Sequence, residues 1–347
     1  MAIIQAENIG DLVADTLRDL GKPKFTDISS SIQDHVWLKK LMKANRRVLD
    51  SGYGIQFNVL VRPSNNARNV SLAESDVTNT EDGMVQASTV WRNSQTSYQI
   101  IGQTVDMNAE PSRIVDYVKQ QRIMAMISFA ELMETNGWAA PSATDSKTPF
   151  GLPYVVVKNA TRGFNGGNLS GYSNVYGLSN STYPNYANWT VPYTAVSRDD
   201  FIRGIREACL KTKFKPPTDG IPTPNTGDDY GFYTNYAVIQ PLEEALESQN
   251  DNLGSDVASM DGKVMFRGTP VTWVPWLERD TTNPFYGINW GWGGLYILKN
   301  WWMKETNVAI TPGQHTVATH FIDCTYQLVF KNRRCHFVAS NGTSYPS

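Results

Sequence analysis

The sequence is poor in cysteine, in long apolar runs and in positive charge. Its three cysteines, Cys209, Cys324 and Cys335, are too few and too scattered for a disulfide framework, which favours a cytoplasmically made protein with reduced thiols. No run of about 18 apolar residues occurs, so we expect no transmembrane helix. The N-terminus lacks the basic and apolar regions of a signal peptide. A formal net charge of -2 predicts only weak, sequence-independent contact with nucleic acid.

Motifs of the common enzyme classes are also missing. The sequence contains no G-x-S-x-G, H-E-x-x-H, Walker A, G-x-G-x-x-G or C-x-x-C pattern. Four residues carry zinc-binding atoms, but their spacing is irregular and three of them fall in or beside strand-like sequence: His315, His320, Cys324 and Cys335. Helix capping and solvation explain the paired carboxylates at 199–200 and 243–244, and the pair at 228–229 sits in a loop. We therefore predict no catalytic residue, no cofactor and no metal.

The first 48 residues have the pattern of an arm rather than of a domain. Residues 9–20 carry apolar side chains every three or four positions, and Gly21 follows where a helix of this kind would end. A second helix is predicted to begin near Ser31 and to direct Val36 and Trp37 towards one side. The two short helices are joined by an extended segment.

Two extended stretches follow the arm. Residues 53–62 alternate apolar and polar side chains, as a half-buried strand does, and residues 85–106 are similar. They pair most simply as one long hairpin around the polar segment 63–84. Because an isolated two-stranded ribbon is marginal in water, we expect this hairpin to lie on a neighbouring subunit.

The longest predicted helix covers residues 111–136. It is apolar on nearly all sides between Ile123 and Met133, so we expect it to be covered on more than one side. An apolar strand is predicted at 154–157. The tract at 158–197, rich in Asn, Gly, Ser and Tyr, has no periodicity and indicates an ordered surface insertion.

The remaining sequence predicts a mixture of helices and strands. A helix at about 198–213 should begin at Ser197, with Asp200 in the N3 position of the cap. A strand at 232–239 should lead into a helix that Pro241 opens. Further strands are expected near 263–266, 269–275, 294–299, 316–331 and 334–339.

Tryptophan is concentrated in one part of the chain. Six of the ten tryptophans fall between residues 273 and 302. Exposed aromatic platforms bind sugars, so a carbohydrate-binding or tail-associated adhesin module is an alternative function. Tryptophan is equally typical of cores and subunit interfaces, which we favour here. A hydrolase with an unrecognised site is a second alternative.

The order of these elements resembles the major capsid proteins of tailed bacteriophages, which have the Hong Kong 97-like fold. The segment KTPFGLP at 147–153 looks like that family's strand entry after its long helix, and YQLVFKNRR at 326–334 resembles its closing strand and turn. The resemblance covers essentially the whole chain and implies an α+β fold. Its implied parts are an N-terminal arm at 1–48, an E-loop hairpin at 49–106, a peripheral domain at 107–199 with the spine helix at 111–136 and the insertion at about 158–197, an axial domain at 200–305, and return strands of the peripheral domain at 306–347.

The resemblance also implies what the chain does. It would self-assemble, as pentamers and hexamers, into the icosahedral or prolate shell that encloses a double-stranded DNA genome in the virion. No long extra N-terminal scaffolding-like segment is present, which implies a separate scaffolding protein or none. Portal and decoration proteins are further expected partners, and no membrane is expected.

The arm and the hairpin are the predicted contacts between subunits. Their apolar faces would be covered by neighbours, and charges near the hairpin tip would form ion pairs that set the register. Each such pair is weak, so the effect must be collective. The predicted contact residues are Ile9, Leu12, Val13, Leu17, Trp37, Ile55, Phe57, Val59, Arg62, Arg68, Glu74, Asp76, Glu81 and Asp82.

Overall fold

The computed structural model describes residues 32, 34–44, 46–64, 66–71, 82–103, 111–213, 230–247, 264–306, 309–310 and 316–346. Seven of the predicted contact residues therefore lie outside the described residues: Ile9, Leu12, Val13, Leu17, Glu74, Asp76 and Glu81.

The long helix predicted at 111–136 is present and slightly longer. Pro111 occupies its first position, where the missing N–H costs nothing, and the helix runs to Trp138 with Gly137 inside its last turn. Its 28 residues span about 42 Å at 1.5 Å per residue. The described helices are α1 (Val36–Ala44), α2 (Pro111–Trp138), α3 (Leu152–Val155), a π-helical turn (Arg198–Ile202), α4 (Arg203–Lys211) and α5 (Tyr236–Glu247).

The strands form two larger sheets and one separate hairpin. The six-stranded sheet contains β1 (Arg46–Leu49), β4 (Arg92–Ile101), β11 (Gly293–Leu298), β12 (Lys304–Glu305), β13 (Ala309–Ile310) and β14 (Val317–Phe330). The seven-stranded sheet contains β5 (Gly163–Gly166), β6 (Asn188–Pro192), β7 (Tyr230–Thr234), β8 (Met265–Phe266), β9 (Thr269–Trp273), β10 (Phe285–Asn289) and β15 (Phe337–Ser340). The hairpin consists of β2 (Gly54–Leu60) and β3 (Met84–Val90).

Strand β14 is the centre of the six-stranded sheet. It pairs antiparallel with β4 along ten positions, from Val317 opposite Ile101 to Tyr326 opposite Arg92. On its other side it pairs with β11, β12 and β13. Helix α2 packs on the β4–β14 pair through Val118 and Ala125, which fixes the long helix against the sheet.

The seven-stranded sheet has an aromatic core. Phe232 and Phe285 stack with ring centroids 5.5 Å apart, and Phe201 meets Phe285 edge-on at 5.6 Å. Phe201 comes from the π-helical turn, which begins as predicted at Ser197, whose side chain accepts a hydrogen bond from the Asp200 N–H at 3.3 Å. A second core cluster contains residues of both sheets, such as Leu328 of β14 and Tyr233 of β7. Trp138 at the end of α2 belongs to this cluster, and its ring centroid lies 5.5 Å from that of Tyr233.

The sheets cross the boundaries predicted between segments. The tract at 158–197 supplies β5 and β6 of the seven-stranded sheet, and β15 near the C-terminus joins the same sheet. Conversely, β11 and β12 lie within the predicted axial segment but pair in the six-stranded sheet. Strands that are far apart in the sequence pair in the same sheet, so contiguous segments describe this fold only approximately.

Three predicted elements were wrong in detail. The stretch at 85–106 is not one strand of a long hairpin: Met84–Val90 pairs with β2, but Arg92–Ile101 pairs with β14. The predicted strand at 154–157 is not formed: Tyr154 and Val155 belong to helix α3, which Gly151 precedes and in which Pro153 is the second residue. The predicted strand at 232–239 ends at Thr234, and α5 begins at Tyr236 with Pro241 in its interior instead of at its start.

Candidate assembly surface

The inner face of the hairpin is buried at its base. Cross-strand partners project to the same face of a sheet, and the register sets Ile55 opposite Thr89 and Phe57 opposite Ala87. All four are at most 7% exposed. The base of the hairpin is therefore covered by its own chain, and Ile55 and Phe57 have little surface left to offer a neighbour.

Tyr176 is the residue that holds the hairpin base. Its ring meets Phe57 edge-on at 5.8 Å, and its backbone carbonyl accepts a hydrogen bond from the Ser88 N–H at 3.0 Å. Its hydroxyl donates to the Leu328 carbonyl of β14 at 2.9 Å. One side chain thus links the hairpin to the central strand of the six-stranded sheet.

A tight turn places Tyr176 in this position. Val175 and Leu178 form an isolated antiparallel bridge, and the two residues between them, Tyr176 and Gly177, both have positive φ angles, of 53° and 85°. This is the geometry of a two-residue hairpin turn, in which glycine is favoured and tyrosine is uncommon. The hydrogen bonds of Tyr176 offset the strain of order 1 kcal/mol that its backbone costs.

The tip of the hairpin is exposed on its outer face. Leu60 and Met84 are cross-strand partners on this face and are 57% and 52% exposed. On the inner face, Val59 and Val85 are also partners, but they are half-buried and pack against the main core cluster. Val70, in the segment beyond the tip, is 60% exposed. The outer face of the tip is therefore an exposed apolar surface.

The predicted charged residues of the tip that lie in described ranges are at the surface. Arg62, Arg68 and Asp82 are all exposed. The Asp82 carboxylate accepts a hydrogen bond from the Met84 N–H at 3.1 Å, which orders the start of β3. Contacts of these residues and of Val59 with another subunit stay predictions.

The predicted arm residue Trp37 is buried in its own chain. It is 4% exposed and meets Trp138 and Trp290 edge-on, with ring centroids 5.3 and 5.8 Å away. Gly137 makes this packing possible, since a Cβ there would lie 2.4 Å from the Trp37 indole nitrogen. Trp37 therefore anchors the end of the arm to helix α2.

A buried carboxylate completes this anchor. Glu134 of α2 is fully buried, and its oxygens accept hydrogen bonds from the backbone N–H groups of Trp37 and Leu38 at 3.1 and 3.0 Å and from the Trp138 indole N–H at 2.8 Å. The two backbone donors belong to the first turn of α1, where N–H groups have no partner within the helix. Burial raises the pKa of the Glu134 carboxyl, and these hydrogen bonds oppose the rise.

A buried arginine orders the tract that carries Tyr176. Arg333 is fully buried, and its guanidinium donates to four backbone carbonyls, those of Val155, Tyr186, Gly166 and Gly167, at 2.6–3.0 Å. Five N–H donors in a rigid fork suit this arrangement. Sequence reasoning assigned this arginine only to a closing turn.

A buried ion pair holds the C-terminal residues. The Lys158 ammonium lies 2.5 Å from an Asp280 carboxylate oxygen, donates to the Ser344 carbonyl at 2.9 Å and lies 4.3 Å from the centre of the Tyr345 ring. Burial lowers the pKa of Lys158, against the effect of Asp280. With both partners buried, this pair is structural.

The tryptophan-rich region contributes both to the core and to the surface. Trp276 and Trp290 are buried in the core, whereas Trp273 and Trp301 are 38% and 42% exposed. Trp273 belongs to the seven-stranded sheet and donates to Glu278 at 2.7 Å, while Trp301 precedes β12 of the other sheet and lies against Lys304. The exposed rings are on separate elements.

The residues that could have formed other sites are dispersed. His320 stacks on Tyr98 with ring centroids 5.0 Å apart, and Cys324 and Cys335 are buried. Within the described ranges, no three His, Cys, Asp or Glu residues are grouped so that they could hold a metal ion. The described helices include none with the length and apolar character needed to cross a membrane.

Solved structures with the same fold are capsid and compartment shells. No protein-family model and no curated protein sequence matches the chain. A chain of the cyanophage A-1(L) capsid asymmetric unit is similar with a TM-score of 0.59 and 17% identity, over 94% of this chain and 98% of that one. A capsid chain of the native GTA particle gives 0.56 and 11%, over 92% and 95%. The SrpI encapsulin of Synechococcus elongatus PCC 7942 gives 0.51 and 13%, over 96% and 97%.

These similarities extend along nearly the full length of each chain. The α+β, Hong Kong 97-like fold expected from the sequence is therefore confirmed. At identities of 9–17%, the likeness concerns the fold.

Proposed function

We propose that this chain is the major capsid protein of a tailed phage, the subunit that self-assembles into the shell around the DNA genome. The observation that carries the proposal is the full-length match of its fold to capsid chains. The alternative of a sugar-binding module has no comparable support, because the exposed tryptophans Trp273 and Trp301 belong to different elements and are not shown to form one surface.

The hairpin tip supports assembly through a specific surface. Leu60 and Met84 form an exposed apolar pair at the end of a ribbon whose base is fixed by Tyr176. A rigid base and an uncovered apolar end suit insertion against another copy. Stable interfaces typically bury about 1,200–2,000 Å² in total, so the tip would contribute one part of a contact made by several surfaces.

The domain assignment follows the sheets in this proposal. The six-stranded sheet with α2 would be the peripheral domain and the seven-stranded sheet the axial domain, with the hairpin β2–β3 as the E-loop. Pentamers and hexamers would form around the axial domains. The small net negative charge agrees with weak, non-specific contact with packaged DNA, and scaffolding, portal and decoration proteins remain expected partners.

The proposed role is structural rather than enzymatic. Glu134 and Lys158, whose pKa values are shifted by burial, are both hydrogen-bonded within the fold. Synthesis in the host cytoplasm followed by incorporation into the virion agrees with its three buried, free cysteines.

The direct test is to purify the chain and to measure particle formation by native mass and negative-stain microscopy. We expect closed, multi-megadalton particles from the wild type. A chain that stays a monomer or small oligomer both without and with scaffolding protein from the same genome would contradict the proposal.

Variants of the hairpin tip test whether it forms a contact between subunits during assembly. Deleting residues 64–82, or replacing Leu60 and Met84 with Asp, should leave a soluble subunit that fails to assemble. The matched control exchanges the two residues for each other's type, Leu60→Met with Met84→Leu, which keeps the apolar area and should assemble. Normal particles from the deletion or the Asp variant would rule out the tip as an assembly contact.

A further inference from the structure

Helix α4 is buried on one side and exposed on the other. Ile205, Ala208 and Cys209 lie in the aromatic core cluster of the seven-stranded sheet. Gly204 lets the helix approach β6 closely, since a Cβ there would lie 2.5 Å from a methyl carbon of Val191. The helix is therefore fixed on the sheet, and its opposite side faces outward.

The exposed side of α4 carries positive charge. Arg203, Arg206 and Lys213 follow one another at intervals of three and seven residues, a spacing that keeps side chains on one helix face, and all three are exposed. Two further exposed cations lie beside them, one in the preceding π-helical turn and one in the last turn of α4. We call the five residues the basic strip: Arg198, Arg203, Arg206, Lys211 and Lys213.

The acidic residues beside the basic strip already have partners. Asp199 lies 3.3 Å from the Arg203 guanidinium, and Glu207 lies 3.6 Å from that of Arg162. The Asp200 carboxylate accepts a backbone hydrogen bond at 2.8 Å. Among the described residues, none forms an ion pair with the other four cations of the strip. The chain therefore leaves most of this positive charge unneutralised, although its formal net charge is -2.

A cation from another element lies near the strip. Arg267 is exposed in the turn between β8 and β9. Burial raises the pKa of the Cys209 thiol to about 11, and Arg267 and Lys213 act in the opposite direction. Both cations therefore lie close to this buried residue of α4, and the positive charge extends beyond the helix itself.

A row of guanidinium and ammonium groups suits a phosphate backbone. The planar guanidinium donates in pairs to phosphate oxygens. The distance along the helix from Arg203 to Lys213 is about 15 Å at 1.5 Å per residue. One strand of duplex DNA carries about four phosphates over that length, at roughly 3.4 Å each. Phosphate contacts carry no sequence information, which agrees with the sequence-independent binding expected for this chain.

We propose that the basic strip binds the phosphate backbone of double-stranded DNA and faces the packaged genome in the shell. The inference rests on the proposed function for the source of the DNA, since a capsid subunit meets the genome that it encloses. It adds an orientation, in which the side of the seven-stranded sheet that carries α4 is internal. The binding itself belongs to the single chain and is measurable without assembly.

Titration of DNA with the full-length, unassembled chain tests the proposal. The probe is a fluorescein-labelled duplex of about 30 base pairs and mixed sequence, and the salt concentration is varied from about 50 to 200 mM. The variant carries Arg206→Gln, Lys211→Gln and Lys213→Gln. We expect its affinity at about 50 mM salt to be lower than that of the wild type by on the order of tenfold. The slope of log K against log salt concentration should become less steep by about 1 for each cation removed.

The matched control removes the same charge from other elements. Lys147→Gln, Arg279→Gln and Lys331→Gln neutralise one arginine and two lysines that are also exposed. The two variants have the same net charge, so a difference between them reports the location of the charge. Circular dichroism shows that each variant is folded. Equal affinities and equal slopes for the two variants would overturn the proposal, as would a wild-type chain that binds no DNA at about 50 mM salt.

An acidic protein surface is the competing occupant of the strip. We expect unlabelled duplex to displace the probe more readily than polyglutamate of the same total charge does, because phosphate suits the paired guanidinium donors. Polyglutamate that competes equally well would overturn the proposal. Particle formation is scored separately. DNA binding located in the strip without any particles would contradict the proposed function alone, whereas normal particles with equal DNA binding by both variants would contradict this inference alone.

Discussion

The base and the tip of the hairpin differ in sequence pattern and in environment. Along the base, apolar and polar residues alternate, and the apolar inner face is covered, since Phe57 is 7% exposed and packs on Tyr176. At the tip, apolar residues also occupy the outer face, where Leu60 is 57% exposed. Alternation therefore predicts the covered face of the base, and its interruption at the tip marks an exposed apolar pair.

Cover at the base comes from a distant part of the chain. Tyr176 is more than 80 residues beyond the end of the hairpin in sequence, and Arg333 orders its tract from still further along. The outer face of the tip has no equivalent cover among the described residues. Covered and exposed apolar surfaces are thus adjacent in one ribbon, and the exposed one is the surface that we propose for assembly.

The largest expected effect comes from removing the Arg333 guanidinium, which orders the tract that carries Tyr176. Arg333→Met removes the guanidinium donors of four carbonyls, three of them buried, each buried one at a cost of about 1–3 kcal/mol, which together approaches the whole stability of an ordinary domain. We expect the variant to be insoluble or to lack a cooperative thermal transition by circular dichroism.

The neighbouring arginine is the matched control. Arg334 is partly exposed, and its guanidinium lies 4.6 Å from the centre of the Phe164 ring, so Arg334→Met should cost only about 1 kcal/mol. If the two variants were equally stable, the support of the hairpin base by Arg333 would be disproved.

The second prediction acts on the base itself. Phe57→Ala removes a buried ring, which typically costs about 3–5 kcal/mol of unfolding free energy. Chemical denaturation of the unassembled chain measures this loss. A cost below about 1 kcal/mol would mean that the base is not packed as described, and the contrast with the tip would disappear.

The elements predicted correctly are those that a local pattern determines. The helix at Pro111–Trp138 has a proline at its start and sustained apolar content, and β14 has a long run of strand-forming residues. The cap at Ser197 was also predictable, because a short side chain reaches its partner within the same turn.

The elements missed depend on distant contacts or on ambiguous short runs. Four apolar residues at Leu152–Val155 fit a strand or a buried helix equally well, and only Pro153 near the start indicates the helix. Tyr176 was not identified, because the two-residue turn between Val175 and Leu178 is usually formed by Asn-Gly or Asp-Gly, and tyrosine is uncommon in its first position. The role of Glu134 depends on a helix 97 residues away in sequence, which no local pattern contains.

The third prediction concerns the arm, where Glu134 supports Trp37 much as Tyr176 supports Phe57. Glu134→Gln replaces a buried acceptor of three hydrogen bonds and should cost about 1–3 kcal/mol. Burial raises the pKa of the carboxyl, so the folded chain binds this proton more tightly than the unfolded chain does. The wild type should therefore gain stability relative to Glu134→Gln as the pH falls through the raised pKa towards the ordinary value of about 4.3.

Denaturation of both proteins between pH 7 and pH 4.5 measures this difference. The comparison isolates Glu134, because every other titrating group is common to the two chains. If the difference in unfolding free energy between the wild type and Glu134→Gln narrowed as the pH falls, the folded chain would favour the ionised carboxylate, contrary to the expected sign.

The smallest expected effect on stability is at the tip. Leu60→Ala with Met84→Ala removes side chains that are 57% and 52% exposed, so the unfolding free energy of the unassembled chain should change by no more than about 0.5 kcal/mol. The same variant should reduce the yield of particles, because the removed surface is what a neighbouring copy would cover. Phe57→Ala at the base should instead lower the unfolding free energy of the unassembled chain by a large amount. If the tip variant instead destabilised the single chain as much as Phe57→Ala does, the tip would be packed within its own molecule and would not be available to another.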